Sequence, residues 1–206
     1  MRRDVKRAIY EIAEDQMGYV TSAQAEAAGI HPVLLVQLAR RGRLQRVSRG
    51  VYRIVEFPAQ PLEQYMHATL WPHGQRGVLS HETALSLYEI SDIDPPKVHI
   101  TIPSGVRVQR EIPAHLVVHQ ASLAPADITR LEGMPITTPE RTIRDCLAEH
   151  VGSALLSPAI AHARQIGMLD APTAKRLVAQ LRNGAPATCP ARLSLLRRRP
   201  ANSRSS

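Results

Sequence analysis

The stretch that decides the fold is GYVTSAQAEAAGIHPVLLVQLARRGRLQRVSRGVYRI, residues 18–54. Its Thr21-Ser22-Ala23-Gln24 has the form of a capping box, a Thr hydroxyl for the first helical turn and a Gln that reaches back to the cap. The helix it opens is short and Ala-rich, over residues 22–28, and Gly29 supplies the positive φ that ends it. Pro32 suits the first turn of a second helix, over residues 32–41. At 3.6 residues per turn, Leu34, Leu35, Leu38 and Ala39 share one arc and are expected to be buried. Val33, Val36, Gln37 and Arg40 share the opposite arc, with Arg41 on its flank. Residues 42–47 and 51–54 then read as two short strands joined by Ser48-Arg49-Gly50. Upstream, Val5, Ala8, Ile9, Ile12 and Ala13 keep the spacing of an amphipathic helix, with Gly18 as its stop. Three helices followed by a hairpin that carries Arg43, Arg46, Arg49 and Arg53 make a winged helix-turn-helix.

An exposed Gln and Arg beside small apolar groups are what a major-groove helix uses. Gln can pair bidentately with adenine, Arg with guanine, and an apolar group can touch a thymine methyl. Gln37 and Arg40 are therefore assigned to base edges and Val33 to a methyl. Ser22, Gln24, Arg41, Arg43, Arg46 and Arg49 are assigned to phosphates or the minor groove, with Arg49 at the wing tip. His31 stands at the helix start as a further contact. The same face also fits an ordinary solvated surface whose basic last turn complements the helix dipole.

The charge distribution agrees with a polyanionic partner. The 206 residues hold 26 Lys+Arg and 18 Asp+Glu, a net charge of +8. Residues 1–54 have 10 basic and 5 acidic side chains, residues 55–150 have 7 and 12, and residues 151–206 have 9 and 1. Two basic ends thus flank an acidic middle. Aromatics are 3% of the chain, which argues against a single-strand binder that stacks bases on aromatic rings. Cys146 and Cys189 are too few and too far apart in sequence for a disulfide framework or a zinc cluster, and a reduced cytoplasmic setting follows. No apolar run approaches the ~18 residues of a membrane span, and the charged N-terminus does not read as a signal peptide.

Beyond the Pro-containing residues 56–61, read as a linker, the chain carries α+β signals. Leu62, Tyr65, Met66, Thr69 and Leu70 repeat a helical stripe, and Ser80 caps another helix. Val98, Ile100 and Ile102 alternate with His99 and Thr101, the pattern of a half-buried strand; residues 116–118 suggest a second. Thr138-Pro139-Glu140 opens a helix with Ile143, Cys146, Leu147 and Val151 inward. Two further helices are expected to start at Ser157-Pro158 and Asp170. After Asn183-Gly184 the composition turns to Pro, Ala, Ser and Arg and predicts a disordered basic tail. The expected organisation is a winged helix over 1–55, a helix-rich α+β domain with a small sheet over 62–183, and the tail over 184–206.

Chemistry is sparse in this second region. His115 and His119 lie four apart on a probable strand, but two imidazoles fall short of the three or four ligands of a metal site. Asp92 and Asp94 lack the upstream Gly-Ser turn of a nucleotidyl transferase, and the adjacent prolines place them and Lys97 on a loop. No phosphate-binding Gly-rich loop or G-x-S-x-G motif is present. The expectation is a protein without catalytic residues, cofactor or metal.

Residues 18–24, Ala28-Gly29-Ile30, Arg40-Arg41-Gly42-Arg43-Leu44 and Arg49-Gly50-Val51-Tyr52 together resemble the winged helix of AbiEi-type antitoxins of type IV toxin–antitoxin, or abortive-infection, systems. Leu79-Ser80-His81-Glu82-Thr83-Ala84-Leu85 and Thr137-Thr138-Pro139-Glu140-Arg141-Thr142-Ile143 resemble segments of that family's second domain. The resemblance spans residues 5–183. It implies a bacterial DNA-binding repressor of its own operon, acting on double-stranded DNA at inverted repeats in its own promoter. It also implies an antitoxin that opposes a nucleotidyltransferase-like toxin without a stable complex. Two other readings stay open at this point: a winged-helix protein-interaction module whose Arg-rich tail binds nucleic acid non-specifically, and a nuclease using Asp92, Asp94 and Lys97.

Overall fold

A computed structural model describes residues 3–72, 75–108 and 111–183, and the backbone of Ala191 and Arg192. The chain opens with α1 (Arg3–Glu14), β1 (Tyr19–Thr21), α2 (Ser22–Ala27), α3 (Pro32–Arg40), β2 (Leu44–Ser48) and β3 (Val51–Ile54). The three strands form an antiparallel sheet in the order β1-β3-β2. Ile9, Ala13, Val20, Ala25, Leu35, Leu38, Leu44 and Ile54 close a core of their own beneath it. This is the winged-helix arrangement that the periodicity predicts, with the wing strand beginning two residues later than expected.

The remainder contains α4 (Glu63–Leu70), β4 (Val78–Leu79), α5 (His81–Leu87), β5 (Val98–Ile102), β6 (Leu116–Gln120), a short 3₁₀ turn (Pro125–Asp127), β7 (Ile128–Leu131) and β8 (Met134–Thr137). Helices α6 (Pro139–Ala148), α7 (Ser153–Gln165) and α8 (Ala171–Asn183) follow, then β9 (Ala191–Arg192). The mixed sheet has the order β7-β8-β4-β5-β6-β9, with β4–β8 and β5–β6 parallel. Helices α6, α7 and α8 gather Ile143, Cys146, Leu156, Ile160 and Leu177 into a separate apolar cluster with Leu85 and Ile90 of the α5 region.

Several expectations are corrected by packing. Helix α7 starts at Ser153 and carries Pro158 inside it. Pro158 forfeits one helical hydrogen bond, but Leu156, Ala159, Ile160 and Ala163 form a buried stripe through it, and that burial holds the helix together. Strand β5 is buried along its whole length, His99 and Thr101 included, so it is not half-solvated. The expected disordered tail lies outside the described residues except for β9, which pairs antiparallel with the free edge of β6. Unpaired strand edges recruit such short segments because their N–H and C=O groups need partners.

The winged helix and the mixed sheet are joined by more than the chain. Met17, Tyr19 and Val51 lie in the same apolar cluster as Met66, Ile100 and Val118 of the sheet layer. Gly18 lies between them at φ +85°, where a Cβ would sit 2.6 Å from Phe57, so glycine is required there by both conformation and space. Residues 56–61, expected as a linker, are tied at both ends. The Arg53 guanidinium donates to the Phe57 and Pro58 carbonyls, and Glu63 accepts from Arg53 and from the Gln60 amide. Arg76 donates to buried Gln16, and burial lowers the Arg76 pKa from its ordinary value.

Candidate nucleic-acid interface

Helix α3 is set by its ends. His31 takes an extended N-cap conformation, its Nδ1 accepts from the Val33 amide at 3.3 Å, and Pro32 fills the first turn. Leu35 and Leu38 point into the core. The opposite arc is open as expected: Gln37, Arg40 and Arg41 are exposed. Val33 is 52% and Val36 38% exposed, so their methyls are open to contact with the methyl groups of thymine. Leu34 and Ala39, expected inside, are only partly covered at the rim of that core.

The wing stands beside this arc. Strands β2 and β3 are antiparallel with an irregular register between Arg46 and Ser48, and Arg49-Gly50 forms the turn. Arg46 and Arg49 are exposed. Val36, Arg40, Arg46 and Val55 line an open depression between α3 and the wing. From Glu26 to Glu56 no acidic residue intervenes, while six arginines do. This segment is therefore rich in positive charge; within it Arg43 is paired, its guanidinium 2.7 Å from Glu56 with both side chains largely exposed.

Two assignments change in the structure. The Gln24 amide is committed to its own helix start: its oxygen accepts from the Thr21 amide, and its nitrogen donates to Gln16 at 2.7 Å. The capping box read from the sequence is present: it takes the Gln24 amide oxygen, and Gln16 takes one N–H of its nitrogen. Arg53 belongs to the junction with Glu63 and leaves the wing's basic set. Ser22 stays half-buried next to the turn, where its amide donates to the Gly50 carbonyl at 2.8 Å.

Elsewhere, Asp92, Asp94 and Lys97 are exposed loop residues, as their prolines predict. His115 and His119 part company. His115 lies 6.5 Å from the His67 ring, whereas His119 is buried against His81 and His99. The periodicity of β5 gave no warning of this second histidine set, because its members come from three different segments. Among the described residues, no helix is long and apolar enough to cross a membrane.

Comparison with known proteins agrees with this architecture. The crystal structure of the RV2827C protein from Mycobacterium tuberculosis superposes with a TM-score of 0.50 at 16% identity, over 88% of this chain and 72% of that one. At that identity the likeness is one of fold, a mixed α+β architecture. No curated protein sequence matches. Over residues 7–55, the winged helix and its leading α-helix, the chain matches the family model described as "Transcriptional regulator, AbiEi antitoxin".

Proposed function

We propose that the protein is a DNA-binding autorepressor and the antitoxin of a type IV toxin–antitoxin system. The observation that carries this reading is the arginine-bearing face of α3 and the wing, drawn from a stretch with no acidic residue between Glu26 and Glu56, on a segment that matches a transcriptional-regulator family. In the proposal residues 1–55 read double-stranded DNA at inverted repeats in the protein's own promoter, inside the cytoplasm. Gln37 and Arg40 meet base edges, Val33 and Val36 meet thymine methyls, and Arg41, Arg46 and Arg49 hold phosphates or enter the minor groove. His31 and Ser22 lie at the edge of that footprint. Arg43 joins it by exchanging Glu56 for phosphate, because an exposed ion pair contributes only ~0–1 kcal/mol.

Residues 62–183 take the second job in this reading, opposing a nucleotidyltransferase-like toxin without forming a stable complex with it. The regulatory character of the matched family and the loop placement of Asp92 and Asp94 both support a role without catalysis. The test is a gel-shift series on the promoter with full-length protein. Losing one base-reading Arg costs about 1–3 kcal/mol and relaxes specificity at one position. The double change Arg40→Ala with Arg46→Ala should abolish promoter binding at physiological salt. Retained binding in that variant removes the proposed footprint. Co-expression with the adjacent toxin gene tests the second job, and a chain that gives no rescue overturns it.

A further inference from the structure

The strand-to-helix turn at Ser80-His81-Glu82, strands β5 and β6, and the end of α6 bring together three histidines and two glutamates. His81, His99 and His119 are all buried. His119 and His81 stack with ring centroids 3.6 Å apart, and His99 is 5.2 Å from His119. His99 Nδ1 lies 3.1 Å from His119 Nε2, and His99 Nε2 lies 3.0 Å from Glu82 Oε2. On the other side of His119, its Nδ1 is 3.5 Å from Glu149 Oε1. His81 Nδ1 meets the Ser80 hydroxyl at 2.9 Å, and that hydroxyl accepts from Thr101 at 2.8 Å.

We infer that His81, His119 and Glu149 form a binding site for a first-row divalent cation, with zinc as the best-suited ion. Each of the three offers one ligand atom, and these atoms all lie within 4.8 Å of one another. Two imidazoles and a carboxylate are a donor set for zinc with a fourth position left to water. In a tetrahedral site with bonds of ~2.0–2.1 Å, ligand atoms are about 3.3 Å apart, close to the 3.5 Å between His119 Nδ1 and Glu149 Oε1.

The surroundings have the form that such ligands need. A metal-binding histidine uses one nitrogen for the ion and donates its other N–H to an orienting group. One tautomer assignment satisfies the chain: Glu82 accepts from His99 Nε2–H, His99 Nδ1 accepts from His119 Nε2–H, and His119 Nδ1 keeps its lone pair towards Glu149. His81 likewise donates Nδ1–H to Ser80, so its orienting contact is on Nδ1. Ser80, the N-cap of α5 by position, makes no side-chain cap to the helix. Its hydroxyl serves His81 instead.

The backbone gives an independent indication. His81 has φ +53°, the left-handed region, at a buried turn between β4 and α5. A non-glycine residue is held there only when its surroundings fix it, and such residues concentrate at functional sites. Glu149 is the C-cap of α6, at the negative end of a 10-residue helix, which favours a cation. The rings of His81 and His119 are nearly parallel, at 13°. Since both lone pairs lie in the ring planes, ion binding must turn one ring out of the stack.

Zinc titration of the full-length, metal-stripped protein against a chromophoric chelator tests the site, with the metal content of the protein as purified measured in parallel. One equivalent bound with a micromolar or tighter Kd is expected. Glu149→Gln should weaken it by a hundredfold or more. Glu82→Gln, at a residue that meets His99 and is not one of the three proposed ligands, should weaken it about 10–100-fold through the histidine chain. Both glutamates are partly exposed, so the metal-free variants should melt close to the metal-free parent. Zinc should raise the melting temperature of the parent and leave that of Glu149→Gln unchanged. Zinc affinity equal in parent and both variants, or no binding in the parent, overturns the site and leaves a packed histidine stack. Promoter binding is unchanged in these variants if the DNA-reading proposal holds, so the two proposals fail separately.

Discussion

Arg46 and Arg53 lie on paired strands of the same wing, yet they face opposite partners. Arg46 is exposed on β2, opposite Tyr52. Arg53 is opposite Gln45 on β3 and turns inward, with 13% of its side chain exposed, onto Glu63 and two carbonyls. The first kind of arginine offers charge to a partner. The second satisfies backbone groups where the winged helix meets the mixed sheet. A count of arginines along this hairpin merges the two kinds; β2 is exposed from Gln45 to Val47 whereas β3 is covered on both faces, and that difference in position separates them. The same division runs through the rest of the chain: Arg40, Arg41 and Arg49 are exposed, whereas Arg141 is 11% exposed and bridges Asp127 and Asp145.

The largest effect that follows is on the inward class. Arg53→Ala leaves Glu63 and the Phe57 and Pro58 carbonyls with lost partners in a mostly buried place. Removing one member of a buried pair costs 3–5 kcal/mol, and partial exposure reduces this to about 2–3 kcal/mol. Thermal denaturation should fall by roughly 5–10 °C, while the folded protein retains its promoter affinity. A variant that melts like the parent but loses DNA would move Arg53 into the exposed class.

Inward placement also sets an alkaline limit. Tyr88 donates its hydroxyl to the Thr137 carbonyl at 2.7 Å, tying the end of α5 to β8. Burial pushes its pKa from 10.0 up to about 12. The neutral form is the one the fold prefers, so this contribution is complete below pH 10 and is lost as pH rises through 12. Linkage sets an upper limit of ~1.4 kcal/mol per pH unit between those limits, and solvent screening of the half-buried ring reduces the total to about 1 kcal/mol. The measurement is denaturant unfolding of the parent and Tyr88→Phe at pH 9 and pH 12. The gap between the two proteins should narrow at the higher pH; a constant gap refutes the assignment.

What was legible in the sequence follows the same line. The winged helix is local: caps, a glycine stop and a 3.6-residue stripe lie within residues 18–54, so its elements and the exposed side of α3 could be read directly. Gln24 shows the limit: the sequence shows its oxygen closing the capping box, but not that its nitrogen donates to Gln16, eight residues away. The histidine cluster is non-local. His81, His99, His119 and Glu149 become neighbours through strand order and the parallel β5–β6 register, which pairs Thr101 with His119. Alternation along β5 correctly separates its two faces, but it cannot show that α5 and α6 cover the polar one. Pro158 differs for a related reason: a proline signals a helix start locally, and the buried stripe of Leu156, Ala159, Ile160 and Ala163 that runs past it outweighs that signal.

Arg43 gives the smallest effect and the sharpest test of the division between the two classes. It sits at the base of the wing, 67% exposed, and its partner Glu56 is 56% exposed. Such a pair is screened by solvent and salt, and the long side chains lose rotamer freedom to form it. Arg43→Ala should therefore change unfolding stability by less than about 0.5 kcal/mol. If Arg43 trades Glu56 for a phosphate in the complex, the slope of log affinity against log salt falls by about one, uniformly across operator sequences. Glu56→Gln then has the opposite sign: it frees Arg43 in the unbound protein and should tighten DNA binding slightly while leaving the slope intact. An unchanged slope in Arg43→Ala together with a clear loss of stability would place Arg43 with Arg53, as part of the frame that holds the wing and not of the surface the wing presents.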